Sequence, residues 1–219
     1  MNNEARKKML IAVGMFIAFL LWTIGVCLIN VQPIGPEETT VGFAAVNQYI
    51  HHFTGVHMAL YVITDWLGLV PICFAIGFGI LGLCQWIGLR KIGNVDFSVW
   101  ILGGFYIVVV ASYLIFENII INYRPILIDG NLEVSYPSST TLLVICVMYT
   151  AMLQLQDRIQ NKVLNRCTSY IIKVFIAFMV IGRFVSGVHW FSDIIGGILL
   201  SISLIQTYQA AIIVGTRVK

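Results

Sequence analysis

Three short segments of this chain carry residue types and spacings that could do chemistry. In Gly182-Arg183-Phe184-Val185-Ser186-Gly187-Val188-His189-Trp190-Phe191-Ser192-Asp193, five residues separate the arginine from the histidine and three separate the histidine from the aspartate. A second arginine stands in Asn122-Tyr123-Arg124-Pro125, and Tyr136-Pro137-Ser138-Ser139-Thr140 lies between the two. This set suits a phosphate group. A phosphoryl group in flight carries negative charge on its equatorial oxygens, so cations and aligned N–H groups must surround it. Arginine binds phosphate through a planar fork and keeps its charge. A helix that begins after Pro137 would present unpaired N–H groups and the positive end of its dipole, with the Ser138 and Ser139 hydroxyls beside them. His189 and Asp193 stand four apart, hence on one face of a helix. The carboxylate can hold one imidazole nitrogen and leave the other free to attack phosphorus.

These segments must be positioned by membrane-spanning helices. Of 219 residues, 59% are hydrophobic and 11% charged, and the mean hydropathy is +0.91. A soluble domain of this size needs more polar residues to cover its surface. A span needs roughly 20 apolar residues to cross a hydrocarbon core of about 30 Å. The apolar stretches predict six spans, at Lys8–Asn30, Met58–Ile87, Phe97–Ile121, Ser139–Leu155, Tyr170–Val185 and Trp190–Val214. The second is long enough to tilt, or to bend near Pro71. Between the first two, Phe43, Val46, Ile50 and Phe53 recur at helical spacing among polar residues, which predicts a short amphipathic helix at the interface. The fold class is therefore all-α and polytopic, six transmembrane helices plus one interfacial helix. No linker divides residues 1–219, so one domain is expected.

Charge orients the bundle. The N-terminus, the second-to-third and fourth-to-fifth loops and the C-terminus share one side. That side holds Arg6, Lys7, Lys8, Arg90, Lys91, Arg158, Lys162, Arg166, Lys173, Arg217 and Lys219, eleven of the thirteen basic residues. The positive-inside rule then makes both termini cytoplasmic and sends all three chemical segments to the opposite face. The two basic residues on that face are Arg124 and Arg183.

The three segments resemble the type 2 phosphatidic acid phosphatase family, whose signatures read K-x6-R-P, P-S-G-H and S-R-x5-H-x3-D. The third matches at Arg183, His189 and Asp193, with Gly182 in place of serine. The first keeps Arg124-Pro125 but has Glu117 in place of lysine. The second reads Pro137-Ser138-Ser139-Thr140, with Thr140 in place of histidine. The resemblance implies a metal-independent, cofactor-free hydrolase of a lipid phosphate or diphosphate at the extracytoplasmic face of the cell membrane. His189 would form a phosphohistidine, Asp193 would orient it, and Arg124, Arg183, Ser138, Ser139 and Thr140 would hold the phosphate. An isoprenoid diphosphate, phosphatidic acid and phosphatidylglycerol phosphate are the substrate candidates, and no nucleic-acid partner is expected. In the family the histidine at the Thr140 position protonates the leaving alcohol, which threonine cannot do. Two other classes therefore stay open: a catalytically silent member that binds lipid phosphate or a partner protein, and a small lipid transporter.

Other features have plainer readings. The odd number of cysteines, all in or beside apolar stretches, points to small hydrophobes rather than to disulfides or zinc. Neighbouring His51 and His52 point apart on a helix, which disfavours a metal site with His57. Asp65 is an ionisable residue inside a span, and such residues line a groove or pair with a cation. Glu117 is either an acid or half of an ion pair. The orientation is testable by cysteine labelling from outside in a cysteine-free background. A probe at Asp129 should react and one at Lys162 should not; the reverse pattern would turn the molecule over.

Overall fold

In a computed structural model, residues 3–89 and 95–216 are described, and they form eight α-helices. Arg90, Lys91, Arg217 and Lys219, used above to orient the chain, lie outside the described residues. The helices are α1 Asn3–Leu28, α2 Ala44–Thr54, α3 Met58–Leu67, α4 Leu69–Leu89, α5 Phe97–Asn118, α6 Ser139–Arg158, α7 Lys162–Val185 and α8 Phe191–Gly215. Together α3 and α4 make one candidate span, so there are six, as expected, with α2 as the interfacial helix. The chain is a multi-pass membrane protein.

The bend expected near Pro71 is present, and one boundary differs from the sequence reading. The second span breaks at Gly68, three residues before Pro71. The proline has no N–H for the carbonyl four residues back, at Leu67, and its ring crowds that turn. The disturbance therefore falls on the preceding turn. The fifth span begins at Lys162 rather than Tyr170 because Asn161 caps it, its side chain accepting from the N–H groups of Val163 and Leu164. Hydropathy does not register a polar first turn held by a cap.

α6 is the central helix. Thr141, Leu142, Val144, Cys146, Met148, Ala151 and Gln154 are all buried, and these positions go round the whole helix. Such a helix is packed on every side. It touches α4, α5, α7 and α8, while α1 lies along α8. Polar pins at two depths tie α1 to α8: Ser203 Oγ donates to the Ala12 carbonyl at 2.9 Å, and Trp22 Nε1 to the Ser192 carbonyl at 3.0 Å. At the end of α6 away from Ser139, Gln154 donates to Tyr208 at 2.6 Å and to the Ser98 carbonyl at 3.2 Å. Arg158 bonds to Gln154 and lies 3.6 Å from Asp96. Buried polar groups fully paired in this way hold helices in register where lipid supplies no hydrophobic drive between them.

Between α5 and α6 the chain makes a short antiparallel excursion. Tyr123 pairs with Val134, and Ile128 with Asn131. Asp129 and Gly130 at its tip have φ of 49° and 78°, the geometry of a two-residue hairpin turn. Five free cysteines, four of them on the outside of the bundle, agree with their reading as small hydrophobes.

Candidate active site

The third segment is a loop between two helices. Ser186 closes α7, and its N–H reaches the Gly182 carbonyl at 2.8 Å. Gly187 turns the chain with φ of +69°, and a Cβ there would lie 2.0 Å from the Gly55 carbonyl oxygen. Only glycine fits this approach of the α2–α3 corner. The corner clasps the loop: His57 N–H donates to the Ser186 carbonyl at 2.9 Å, and His51 Nε2 to that of Gly187 at 3.1 Å.

His189 precedes α8, and Asp193 lies in the first turn of that helix. They meet across a helix start, which corrects the expectation of a shared helix face. Asp193 is wholly buried. Its Oδ2 accepts from the Trp190 N–H at 3.0 Å and lies 3.7 Å from His189 Nδ1. Its Oδ1 accepts from Asn122 Nδ2 at 3.1 Å. The carboxylate is thus pinned with one edge towards Nδ1, and the far nitrogen, Nε2, is left without a protein partner. Burial holds the His189 imidazole neutral, lowering its pKa from 6.5 to about 4; Asp193 pulls the other way, and Arg124 and Arg183 reinforce the lowering.

Arg183 is 2% exposed. Its Nη2 donates to Asp65 Oδ1 at 2.7 Å and to Thr140 Oγ1 at 2.8 Å. Asp65 therefore pairs with a cation, one of the two roles open to it. The Arg124 Nε lies 2.9 Å from Glu133 Oε2. The approach is off the N–H axis, since Nε has no aligned hydrogen-bond partner, and the contact is an ion pair. Both guanidiniums lie over the Tyr61 ring, at 4.9 Å for Arg183 and 5.8 Å for Arg124. The Nε and Nη1 atoms of both arginines and both nitrogens of His189 are buried without a hydrogen-bond partner. Each such group costs roughly 1–3 kcal/mol, so a cluster of them is not a packing solution.

The second segment meets this cluster at the start of α6. Ser138 is buried and is the cap, its Oγ accepting from the Thr141 N–H at 3.4 Å, while its own N–H donates to the Asp193 carbonyl at 3.0 Å. Thr140 reaches Arg183. The Ser139 and Thr140 N–H groups, at the first two helical positions, have no acceptor within the helix. Ser139 lines a separate crevice of about 20 Å³ with Tyr113, Glu117 and Tyr136. Glu117 lines this crevice beside Tyr113. Arg124, Arg183, His189, Asp193 and Thr140 come together, Ser138 supports them, and Ser139 lines the separate crevice. Among the described residues no three His, Cys, Asp or Glu side chains gather as a metal site.

Tyr61, Asn122, Glu133 and Asn47 belong to this centre and were not singled out from the sequence. Asn47, fully buried on α2, donates to Ser192 Oγ at 2.9 Å and accepts from the Ser192 N–H at 3.1 Å. For Asn122 a signal existed, since it stands two residues before Arg124. Tyr61 is one turn before Asp65, an interval that matters only once Asp65 is known to face the site.

A bundle of six spans with a buried arginine, histidine and aspartate at one end of its last helices defines a class of membrane protein. Residues 98–212 match the model of the PAP2 superfamily, and the chain belongs to that superfamily. The fold is similar to the crystal structure of a transmembrane PAP2-type phosphatidylglycerolphosphate phosphatase from Bacillus subtilis. The TM-score is 0.54 at 17% identity, covering 94% of this chain and 96% of the other. No curated protein sequence matches significantly.

The buried neutral His189 makes a stability prediction. The unfolded chain takes up a proton below about 6.5 while the folded imidazole resists until about 4. Its contribution is therefore complete above 6.5 and lost as pH falls towards 4, a loss on the order of 3 kcal/mol. In detergent-unfolding measurements His189→Gln should be less acid-sensitive than wild type across this window. Parallel curves would contradict neutral burial.

Proposed function

We propose that the protein hydrolyses a lipid phosphate or diphosphate through a phosphohistidine on His189. One observation carries this reading: two arginines and a histidine, each buried with unmatched polar nitrogens, converge at the N-terminus of α6. A tetrahedral anion matches all of these groups at once. Arg124 and Arg183 bind its oxygens, with the Ser139 and Thr140 N–H groups. Nε2 of His189 attacks phosphorus, the bond to the leaving oxygen breaks, and Asp193 stabilises the charge that appears on the imidazole. Water then cleaves the P–N bond. Arginine supplies the positive charge, so the scheme requires no metal. Residues 1–219 act as one domain, in the cell membrane, with both termini cytoplasmic and the site outside. A lipid substrate follows from a site at helix ends, where headgroups lie.

Purified protein should release phosphate from such lipids. His189→Ala should abolish turnover, and Asp193→Asn should cut it by about 10²-fold or more. Vanadate should inhibit by imitating five-coordinate phosphorus, and EDTA should have no effect. Full activity in His189→Ala would rule out the phosphohistidine. A second reading, a silent lipid-phosphate binder, draws on Thr140 and on the carboxylates lying against both arginines. It predicts lipid-phosphate binding with no turnover in wild type.

The leaving group separates the substrates. A monoester such as phosphatidic acid expels an alkoxide, which needs a proton in flight. A diphosphate expels a phosphomonoester, stable as an anion near neutrality. With Thr140 in the acid position, an isoprenoid diphosphate should be the better substrate. Thr140→His should raise kcat/KM for the monoester more than for the diphosphate. Equal gains, or a wild type faster on the monoester, would remove the preference.

A further inference from the structure

The phosphohistidine reading leaves one step without an agent. Water is a poor nucleophile, and its attack on the phosphorylated histidine needs a base. Thr140 is a hydroxyl and does not serve. Asp193 is fully buried, with both oxygens engaged. Glu117 faces the Tyr113 crevice. Glu133 is held at the other guanidinium by the hairpin, where its carbonyl also accepts from the Arg124 N–H at 2.9 Å.

Asp65 differs from all of these. Its Oδ1 shares one nitrogen, Arg183 Nη2, with Thr140 Oγ1, so the carboxylate stands beside Thr140 at the start of α6. Its side chain is 59% exposed while that of Arg183 is 3% exposed. One carboxylate oxygen is thus held by Arg183 while the rest of the group stands outside the packed protein, and among the described residues nothing holds its Oδ2.

The bundle is shaped to bring it there. α3 crosses α7 at Gly182, where a Cβ would lie 2.7 Å from Thr64 Cγ2. Thr64 is fully buried and bonded to its own helix, its hydroxyl donating to the Leu60 carbonyl at 2.9 Å. A β-branched side chain so held has little freedom to move. The neighbours of these two contact residues are Asp65 and Arg183. A glycine at position 182 thus permits the approach that joins them.

We propose that Asp65 is the general base of dephosphorylation, a role that rests on the phosphohistidine reading. Water attacks phosphorus as one of its protons passes to Asp65. The P–O bond forms, the P–N bond breaks, and the electron pair returns to Nε2 of His189. Phosphate leaves, and Asp65 gives its proton to the water outside.

The test uses full-length protein in detergent and farnesyl diphosphate labelled in its terminal phosphate, quenched in alkali, where phosphohistidine survives. Asp65→Asn should lower kcat by about 10²-fold, leave the first labelling burst within a few-fold of wild type, and raise the fraction of labelled enzyme at steady state. Asp65→Glu should restore part of the turnover. Gly182→Ser, which pushes α3 from α7, should accumulate label in the same way. If Asp65 only positions Arg183, Asp65→Asn will slow the burst and lower the labelled fraction, which overturns the proposal. Accumulation in Glu133→Gln instead of Asp65→Asn overturns it too. Absence of label in wild type, with turnover unchanged in His189→Ala, defeats the phosphohistidine reading itself; that result is distinct from a labelled wild type indifferent to Asp65.

Discussion

Arg183 is a fixed positive charge near the end of a lipid-embedded helix, and almost none of it reaches solvent. A buried ion without partners costs several kcal/mol, so the structure around it must answer that charge. Asp65 does so from α3, Thr140 from α6, and the face of Tyr61 lies against the guanidinium. Three elements distant in sequence are thereby committed to one point. The break at Gly68 belongs to the same arrangement. On one side of it α3 packs against α7, and on the other α4 packs against α5 and α6.

Asp193 plays the matching part for the anion. Its two oxygens collect donors from the Trp190 backbone and from Asn122 at the end of the third span. Ser192 beside it is tied to Asn47 on the interfacial helix. The α2 helix thus does more than lie at the surface. Through Asn47 it holds the first turn of α8, and through His51, with the backbone of His57 just beyond the helix, the loop that carries His189. The proposed nucleophile on this loop would need such support, because errors of an ångström in an attacking atom cost orders of magnitude in rate.

Much of this was legible in the sequence. Hydropathy located six spans because lipid leaves helices few alternatives. The third segment could be read because its spacing reflects one loop geometry between two helices. Arg124 and Arg183 stood out as the two basic residues off the side that carries the other eleven. The rest depended on approach distances. The crossing at Gly182 is decided by Thr64, about 120 residues earlier in the chain, and no local pattern joins them. Glu117 stands where a lysine was expected, so the sequence raised it as a catalytic acid. In the structure it faces the crevice beside Tyr113. The partner of Asp65 was foreseeable as some cation, because a carboxylate in a span demands one. Which cation was a question of packing.

The departures from the family pattern make more sense together than singly. Losing a histidine at position 140 removes a group that can both give and take a proton. Replacing it by threonine frees room and a hydroxyl for Arg183. A glycine at position 182 admits α3, and α3 brings a carboxylate to the same guanidinium. A carboxylate with one oxygen on an arginine keeps its other oxygen free to take a proton from water. The site would then lack the acid half of the exchange while keeping the base half. Chemistry of that kind favours substrates whose leaving group departs as a stable anion. The proposed diphosphate preference and the proposed role of Asp65 are therefore two consequences of one rearrangement around Arg183.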